Sequence, residues 1–316
     1  MRRTLIILNP AAHSTRARGA TEKIRKLAGH NEVRFTSSPG EARSIARQAT
    51  EEGFETIVAA GGDGTINEVV NGIGKADVEL GLLPVGTMNV FATELGLPAR
   101  DLMKCWEIIQ SGHVRKIDLP RANQQYFVQL AGIGFDAQVV KETSWDLKRN
   151  IGPLSYVISA AQIAARKPPP LVVETDEGTR EGSFVLVGNG RYYGGPFTIF
   201  KKARIDDGKL DLVIFKNLGY LDIVRYLHAI MFGVHPNLRD VEYLQTKRAV
   251  VHSTQEVPVE VDGELVGNLP VTFRFSSRKL KVLAPQAVPL GGMPGRGDGR
   301  VARSKGLEFD STTAAS

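Results

Sequence analysis

A chain of 316 residues, 42% of them hydrophobic and 23% charged, has the material for a buried core and about two domains, which excludes the disordered and fibrous classes. Its net charge of +6 and isoelectric point near 9.4 suit anionic partners such as a nucleotide, a phospholipid surface or a nucleic acid. A single cysteine, Cys105, excludes an intramolecular disulfide and a thiolate zinc cluster, and no stretch reaches the roughly 18–20 apolar residues that cross a bilayer as a helix.

In chain order, Leu5–Leu8 is a short apolar run ended by Asn9-Pro10, a strand rather than the core of a signal peptide. Ala20, Ile24 and Leu27 follow at helical spacing, then a strand at Val33–Phe35. Ser38-Pro39-Gly40-Glu41 reads as a capping box with Pro at the first helical position, ahead of the stripe Ala42, Ile45, Ala46 and Ala49. The buried strand Thr56–Ala60 runs into Gly61-Gly62-Asp63-Gly64-Thr65. Thr65 and Glu68 form a second capping box, opening a helix that carries Val69, Val70 and Ile73. Leu80–Leu83 leads to Gly86-Thr87-Met88-Asn89, and Leu102, Cys105, Trp106 and Ile109 mark a further helix. Strands alternating with helices over residues 1–115 predict an α/β domain with a parallel sheet covered on both faces.

From Lys116 the pattern becomes strands joined by turns: Phe127–Ala131, a hairpin from Leu171–Thr175 through Asp176-Glu177-Gly178 to Phe184–Val187, then Lys209–Phe215, Ala249–Ser253, Val257–Val261, Val271–Phe275 and Leu280–Leu283. Helices interrupt near Leu154–Ala165 and Leu221–Phe232. Residues 116–285 are therefore expected to form a β-sandwich-type domain, and residues 286–316, rich in Gly, Pro, Ser, Arg and Thr, a largely disordered tail.

Glycines between a buried strand and a helix start let backbone approach a ligand, and the helix N-terminus offers unpaired N–H groups and a positive dipole end. Phosphates suit Gly61–Thr65 for that reason, with Asp63 acting through a bound Mg2+. A Walker loop is absent, and Asn67 stands where a dinucleotide fingerprint needs its third glycine. Gly86–Asn89 repeats the arrangement one strand later, and Asn9-Pro10 ends the first strand. In a parallel sheet these three loops share one rim.

Together with Thr36, Gly40-Glu41-Ala42, Ile117-Asp118-Leu119, Gly132-Ile133-Gly134-Phe135-Asp136-Ala137, Asp206–Asp211 and Asp262-Gly263-Glu264, these motifs resemble the diacylglycerol kinase-like lipid kinases over about residues 4–285. That family is related in its nucleotide-binding half to NAD kinases and phosphofructokinases. The resemblance implies ATP held by Asn9, Thr36, Gly61, Gly62, Asp63, Gly64, Thr65, Glu68, Thr87 and Asn89. It implies catalysis by Glu264 as general base with Asp63 and Asp118 organising Mg2+, and a structural Mg2+ on the Asp207 carboxylate and the carbonyls of Arg204 and Lys209. Many relatives carry Asp after the asparagine of the second loop; Val90 stands there in this chain.

The expected partners are thus a nucleoside triphosphate and a lipid at a membrane surface, with a cytoplasmic protein peripheral to the inner face. Lys148-Arg149, Lys201-Lys202-Arg204 and the tail residues Arg300, Arg303 and Lys305 are candidate membrane contacts; Arg16 and Arg18 are candidate phosphate contacts. Oligomeric state stays open, a homodimer included. The competing readings are a sphingoid-base or other lipid kinase, an NAD kinase, and a non-catalytic nucleotide or lipid sensor. Nucleic acid is not expected, because the basic residues are dispersed and lack interleaved aromatics.

Overall fold

The structure, a computed structural model, describes residues 2–10, 17–135, 137–138, 169–195 and 197–286. The helix expected over Leu154–Ala165, Asp136, Arg16, the Arg18 side chain, Lys148-Arg149 and the tail with Arg300, Arg303 and Lys305 lie outside the described residues.

The first half alternates as expected: β1 (Thr4–Leu8), α1 (Ala17–Ala28), β2 (Glu32–Phe35), α2 (Glu41–Glu51), β3 (Thr56–Gly61), α3 (Asp63–Ile73), β4 (Glu79–Pro84), α4 (Val90–Glu94), α5 (Leu102–Ser111) and β5 (Val114–Ile117). β2, β1, β3 and β4 pair in parallel in that order. Every residue of β3 is buried, as a parallel strand covered on both faces requires. Ile24, Ala46, Val70 and Trp106 bring the helices onto this sheet.

Two helix starts differ from expectation. α2 begins at Glu41, after Gly40 in the left-handed region (φ 83°), so Pro39 is not its first residue. The Glu41 carboxylate instead accepts from the backbone N–H groups of Ser37 (2.6 Å) and Ser38 (3.2 Å). α3 begins at Asp63, which puts Thr65 and Glu68 inside the helix, where they cannot form a capping box with each other. Glu68 caps across space: its carboxylate accepts from Gly40 N (2.9 Å) and Ala42 N (3.0 Å), two donors that α2 leaves unpaired at its own start.

The second half contains β6 (Pro120–Ala122), β7 (Gln125–Tyr126), β8 (Leu130–Ile133), β9 (Leu171–Thr175), β10 (Gly178–Gly182), β11 (Phe184–Gly188), β12 (Tyr192–Tyr193), β13 (Phe197–Thr198), β14 (Leu210–Phe215), α6 (Tyr220–Met231), β15 (Val241–Thr246), β16 (Arg248–His252), β17 (Pro258–Val261), β18 (Glu264–Asn268) and β19 (Val271–Phe275). Two antiparallel sheets, β10-β9-β16-β19-β6-β7 and β15-β14-β11-β8-β17-β18, enclose a core that includes Val173, Val187, Leu212, Val251, Val261 and Phe273. The sandwich is as expected, with two differences. β9 turns into β10, a polar edge strand whose Gly-Thr-Arg-Glu-Gly sequence hides it, and Phe184 starts a strand of the other sheet. β20 (Leu280–Leu283), assigned from sequence to the sandwich, returns to the first sheet, parallel to β4 and antiparallel to β5.

α3 joins the two halves. Its buried Asn71 pairs with the Tyr126 backbone in both directions, Nδ2 to O (3.0 Å) and N to Oδ1 (2.9 Å). One turn earlier, Asn67 Nδ2 donates to Asp262 Oδ2 (2.8 Å). Asp262 lies in the tight turn between β17 and β18, and its carboxylate also accepts from the N–H groups of Val128 (2.8 Å), Gln129 (3.0 Å) and Leu130 (3.1 Å). Burial pushes the pKa of this carboxyl up, and the four donors oppose that by favouring the anion. Asp262→Asn keeps the shape but turns N–H groups toward N–H groups. We expect it to lower stability by roughly 3–5 kcal/mol, measured by urea denaturation; an unchanged midpoint would show that the junction does not need the anion.

Candidate active site

The ladder of the first sheet continues into the loops at its rim. Asn9 N donates to Ala60 O, Val85 N to Gly61 O and Thr36 N to Leu8 O, each at 3.0 Å. Asn9 Nδ2 donates to Thr65 Oγ1 (3.0 Å), which ties the end of β1 to the first turn of α3. The two glycine loops touch backbone to backbone: a Cβ on Gly86 would lie 2.6 Å from Gly62 Cα, closer than real Cβ contacts come. Thr36 is buried at the end of β2, and Thr87 is exposed at the tip of the second loop.

Asp63, in the first turn of α3, reaches over to α4. Its Oδ1 accepts from Phe91 N (3.3 Å), with further hydrogen bonds from the N–H groups of Asn89 and Val90; burial raises its pKa and these donors lower it. Asn89 is left-handed (φ 49°) and offers α4 no side-chain cap, so Asp63 supplies one. Asn89 Nδ2 donates to Gly86 O (3.0 Å), while its Oδ1 is buried without a hydrogen-bond partner. A carboxylate and an orphaned amide oxygen at the edge of a glycine cradle are hard oxygen donors, and they fit a Mg2+-nucleotide. Glu68, expected at the nucleotide, is instead engaged in capping α2.

Asp118, expected to organise Mg2+ with Asp63, is engaged by the turn before β14. Its Oδ2 accepts from Gly208 N (2.7 Å) and its Oδ1 from Lys279 Nζ (2.9 Å), which also donates to Asp206 O (3.0 Å). Asp118 therefore holds the turn Arg204–Lys209, where Asp207 Oδ1 accepts from Lys209 N (3.0 Å). One Asp207 oxygen and nearby carbonyls fit Mg2+ completed by water, although the Lys279 ammonium already balances Asp118. Among the described residues no three His, Cys, Asp or Glu side chains gather closely enough to hold a metal by themselves.

Glu264 comes from the far half of the molecule to this rim. Asp262 and Gly263 both have positive φ (48° and 88°), the geometry of a two-residue hairpin turn that the Asp-Gly pair favours. The next residue is then aimed at α3: a Cβ on Gly64 would lie 3.1 Å from Glu264 Oε1. Burial raises the Glu264 pKa to about 7, helped by the negative charges of Glu68 and Asp262 and opposed by Arg43. An open cavity of about 400 Å³ beside it is lined on its polar side by Arg43, Asn123, Gln124, Gln125, Glu264 and Asn268, and on its apolar side by Val259, Leu265, Val266 and Val271.

The structure thus brings Asn9, Gly61–Thr65, Gly86–Asn89 and Glu264 together, with Asp118, Asp207 and Lys209 at a second cluster. Sequence reasoning did not single out Asn67, Asn71 or Asp262 as junction residues. The available signal was two asparagines four residues apart, on helix positions that are fully enclosed. It also missed Glu94, buried on α4, which accepts from Arg191 N (2.7 Å) and Arg191 Nε (3.1 Å) and so fastens α4 to the sandwich.

Residues 3–122 match the family model described as diacylglycerol kinase catalytic domain, and residues 129–284 match the YegS C-terminal NAD kinase beta sandwich-like domain. Diacylglycerol kinase of Bacillus subtilis (strain 168) is 30% identical over 295 residues, covering 90% of this chain and 97% of that protein. Diacylglycerol kinase of Staphylococcus aureus (strain bovine RF122 / ET3-1) is 31% identical over 296 residues, 91% and 94% of the two chains. The crystal structure of a diacylglycerol kinase from Bacillus anthracis str. Sterne superposes with a TM-score of 0.69 at 21% identity, over 90% of this chain and 97% of that one. At that identity the likeness speaks for the fold. The sequence matches carry the rest, and the chain belongs to the diacylglycerol kinase family of lipid kinases.

Proposed function

We propose that this protein transfers the γ-phosphoryl group of ATP to the hydroxyl of a diacylglycerol-like membrane lipid, with Glu264 as general base, at the inner face of the cytoplasmic membrane. The observation that carries this reading is the Glu264 carboxylate lying against Gly64 at the start of α3, with a pKa of about 7. A base near neutrality is ionised often enough to accept a proton and basic enough to hold it.

In this reading the nucleotide phosphates lie on the α3 N-terminus and the two glycine loops, with Asn9, Thr36, Thr65 and Thr87 around them. Asp63 and Asn89 Oδ1 would hold the catalytic Mg2+, and Asp207 with the carbonyls of Arg204 and Lys209 a structural one. Bound Mg2+ supplies neutralisation of phosphate charge. The acceptor oxygen forms its bond to the γ-phosphorus as the bond from that phosphorus to the β–γ bridging oxygen breaks. The hydroxyl proton passes to Glu264, and a nucleoside diphosphate leaves. The polar lining of the cavity beside Glu264 favours a second reading of the acceptor, a lipid with a larger polar headgroup such as a glycerol phospholipid. Incubating the protein with labelled ATP, Mg2+ and vesicles carrying one lipid class at a time, with mass detection of products, decides between them. Label on NAD and on no lipid would overturn both.

Glu264→Gln removes the base with little change in volume. Turnover is expected to fall by about 10²–10⁴-fold while nucleotide affinity, read by isothermal titration, stays within about twofold. Equal turnover would remove Glu264 from the chemistry.

The pH dependence follows from the same group. Its folded pKa (about 7) lies above the ordinary 4.5, so the working anion is present above pH 7 and lost below it. kcat/KM for the acceptor should rise through about pH 7 to a plateau. Glu68→Gln takes away a neighbouring negative charge and should move that midpoint to lower pH. A midpoint that stays in place would mean Glu68 exerts no field on the base. The stability sign is opposite: ionising half-buried Glu264 weakens the folded state as pH rises from 4.5 through 7, so Glu264→Gln should be more stable than the parent at pH 8.5 and indistinguishable near pH 4.

A further inference from the structure

α6 packs on the outer face of the β15–β18 sheet through Ile223, Tyr226 and Ala229, with the Tyr226 ring centroid 4.8 Å from that of Phe215. A helix with one buried stripe should be polar on the other side. α6 is not: Leu221 is 79% exposed, Val224 50%, Leu227 52% and Met231 65%, and the chain just beyond adds Phe232 at 67% and Val234 at 44%. At 100° per residue these side chains of α6 share one arc, together with His228 and Arg225. Asp222, the one carboxylate of the helix, lies at its border and is engaged by Arg225 and by Gly219 N. Exposed apolar groups gathered this way mark a contact surface.

The charge beside that surface is positive. Lys201 Nζ donates to Gly233 O at the end of the apolar arc, and Lys202 next to it is exposed. The apolar surface also runs toward the catalytic rim. α6 packs beside β13, where Phe197 is 43% exposed, and in the β12–β13 hairpin a Cβ on Gly195 would lie 2.9 Å from Met88 Cε of the second glycine loop. Met88 is itself 48% exposed.

We infer that the outer face of α6, with Phe232 and Val234, inserts into the boundary between headgroups and acyl chains of an anionic bilayer, where Lys201 and Lys202 meet lipid phosphates. This inference rests on the lipid-kinase reading and adds the surface through which the enzyme reaches its substrate. Helices that lie in the interface combine these two features, an apolar face and flanking cations. A second copy of the chain is a poorer occupant, because Lys201 and Lys202 beside the arc would meet their own like charges in its twin, while Arg225 is already paired with Asp222 and Asp240.

The test uses the full chain and extruded vesicles of phosphatidylcholine with 3 parts in about 10 of phosphatidylglycerol, a fraction that gives an anionic surface, without nucleotide or acceptor. Leu227→Glu/Met231→Glu should reduce the vesicle-bound fraction in flotation at least about tenfold, since two apolar anchors become anions. Lys201→Gln/Lys202→Gln should reduce it several-fold and flatten its dependence on salt. Phe232→Trp should show a blue-shifted emission on adding vesicles. With the two double variants, phosphorylation of diacylglycerol embedded in vesicles should fall in parallel with binding, while phosphorylation of a short-chain, water-dispersed diacylglycerol should hold. Vesicle binding equal to the parent's in the double glutamate variant overturns the inference. So does a loss of dimers in light scattering with vesicle binding unchanged, or a collapse of the thermal midpoint, which would mean the face is packed within the protein. If the parent phosphorylates neither substrate, the kinase reading fails, and flotation still decides the surface.

Discussion

The Asp262 carboxylate is the constraint on which the catalytic arrangement depends. It is a half-buried carboxylate held by Asn67 of α3 and by three backbone N–H groups of residues 128–130. An anion is tolerable in such a place only when its lone pairs are met by donors, and removing any one partner leaves the rest exposed to the full cost of desolvation. The bond to Asn67 fixes the β17–β18 turn against the helix that starts in the first glycine loop. Glu264 follows two residues later, so its position over Gly64 is a consequence of that bond. The same charge also raises the Glu264 pKa. One carboxylate thus both places the candidate base and tunes it.

The acidic residues of the rim have structural partners as well as chemical potential. Asp63 caps α4, and Glu68 caps α2, each from α3. The first glycine loop therefore organises the starts of three helices, and a ligand bound there meets a surface whose N–H groups are already directed. Val90 sharpens this point. This chain has an apolar residue at the start of α4, and the oxygen donors at the edge of the loops include the Asp63 carboxylate and the neutral, orphaned Asn89 Oδ1. A cation there sees less negative charge than two carboxylates would provide, and it must rely more on the nucleotide's own phosphates.

Much of this was legible in the sequence because the local rules and the final fold agree. Buried β3 and β4, the glycine loops after them and the Asp-Gly turn before Glu264 each follow from composition and period. The misreadings occur where a distant partner decides. Ser38 and Thr65 looked like caps by spacing, yet the cap of α2 comes from Glu68 across the fold, and α3, with Gly62 at its N-cap, starts without a side-chain cap. β10 is an edge strand, exposed and polar, so it lacks the apolar alternation that marks a strand. β20 has an ordinary strand pattern, and nothing within its four residues says which sheet will take it. Asp118 is held by Lys279 and Gly208, about a hundred residues or more away, partners that nothing near it in sequence reveals. Polar junction residues such as Asn71 are the hardest to read, since their partners are backbone groups that carry no sequence signal.

The placement of apolar and polar surface bears on how a lipid would be handled. The cavity beside Glu264 combines the polar side chains of Arg43, Asn123, Gln124, Gln125 and Asn268, which suit a headgroup, with the apolar Val259, Leu265, Val266 and Val271. Most of the large exposed apolar side chains lie along Met88, Phe197 and the outer face of α6, with Leu265 at the cavity itself and Phe35 and Met103 elsewhere. An enzyme built this way has no need to extract the lipid. A helix lying in the interface enters only about 5–10 Å below the headgroups, so the acyl chains can stay in the bilayer while the hydroxyl is presented at the rim. Discrimination between acceptors would then fall to Arg43, Gln124, Gln125 and Asn268, the residues that meet the headgroup. Chain length, which the protein would not touch, should matter little.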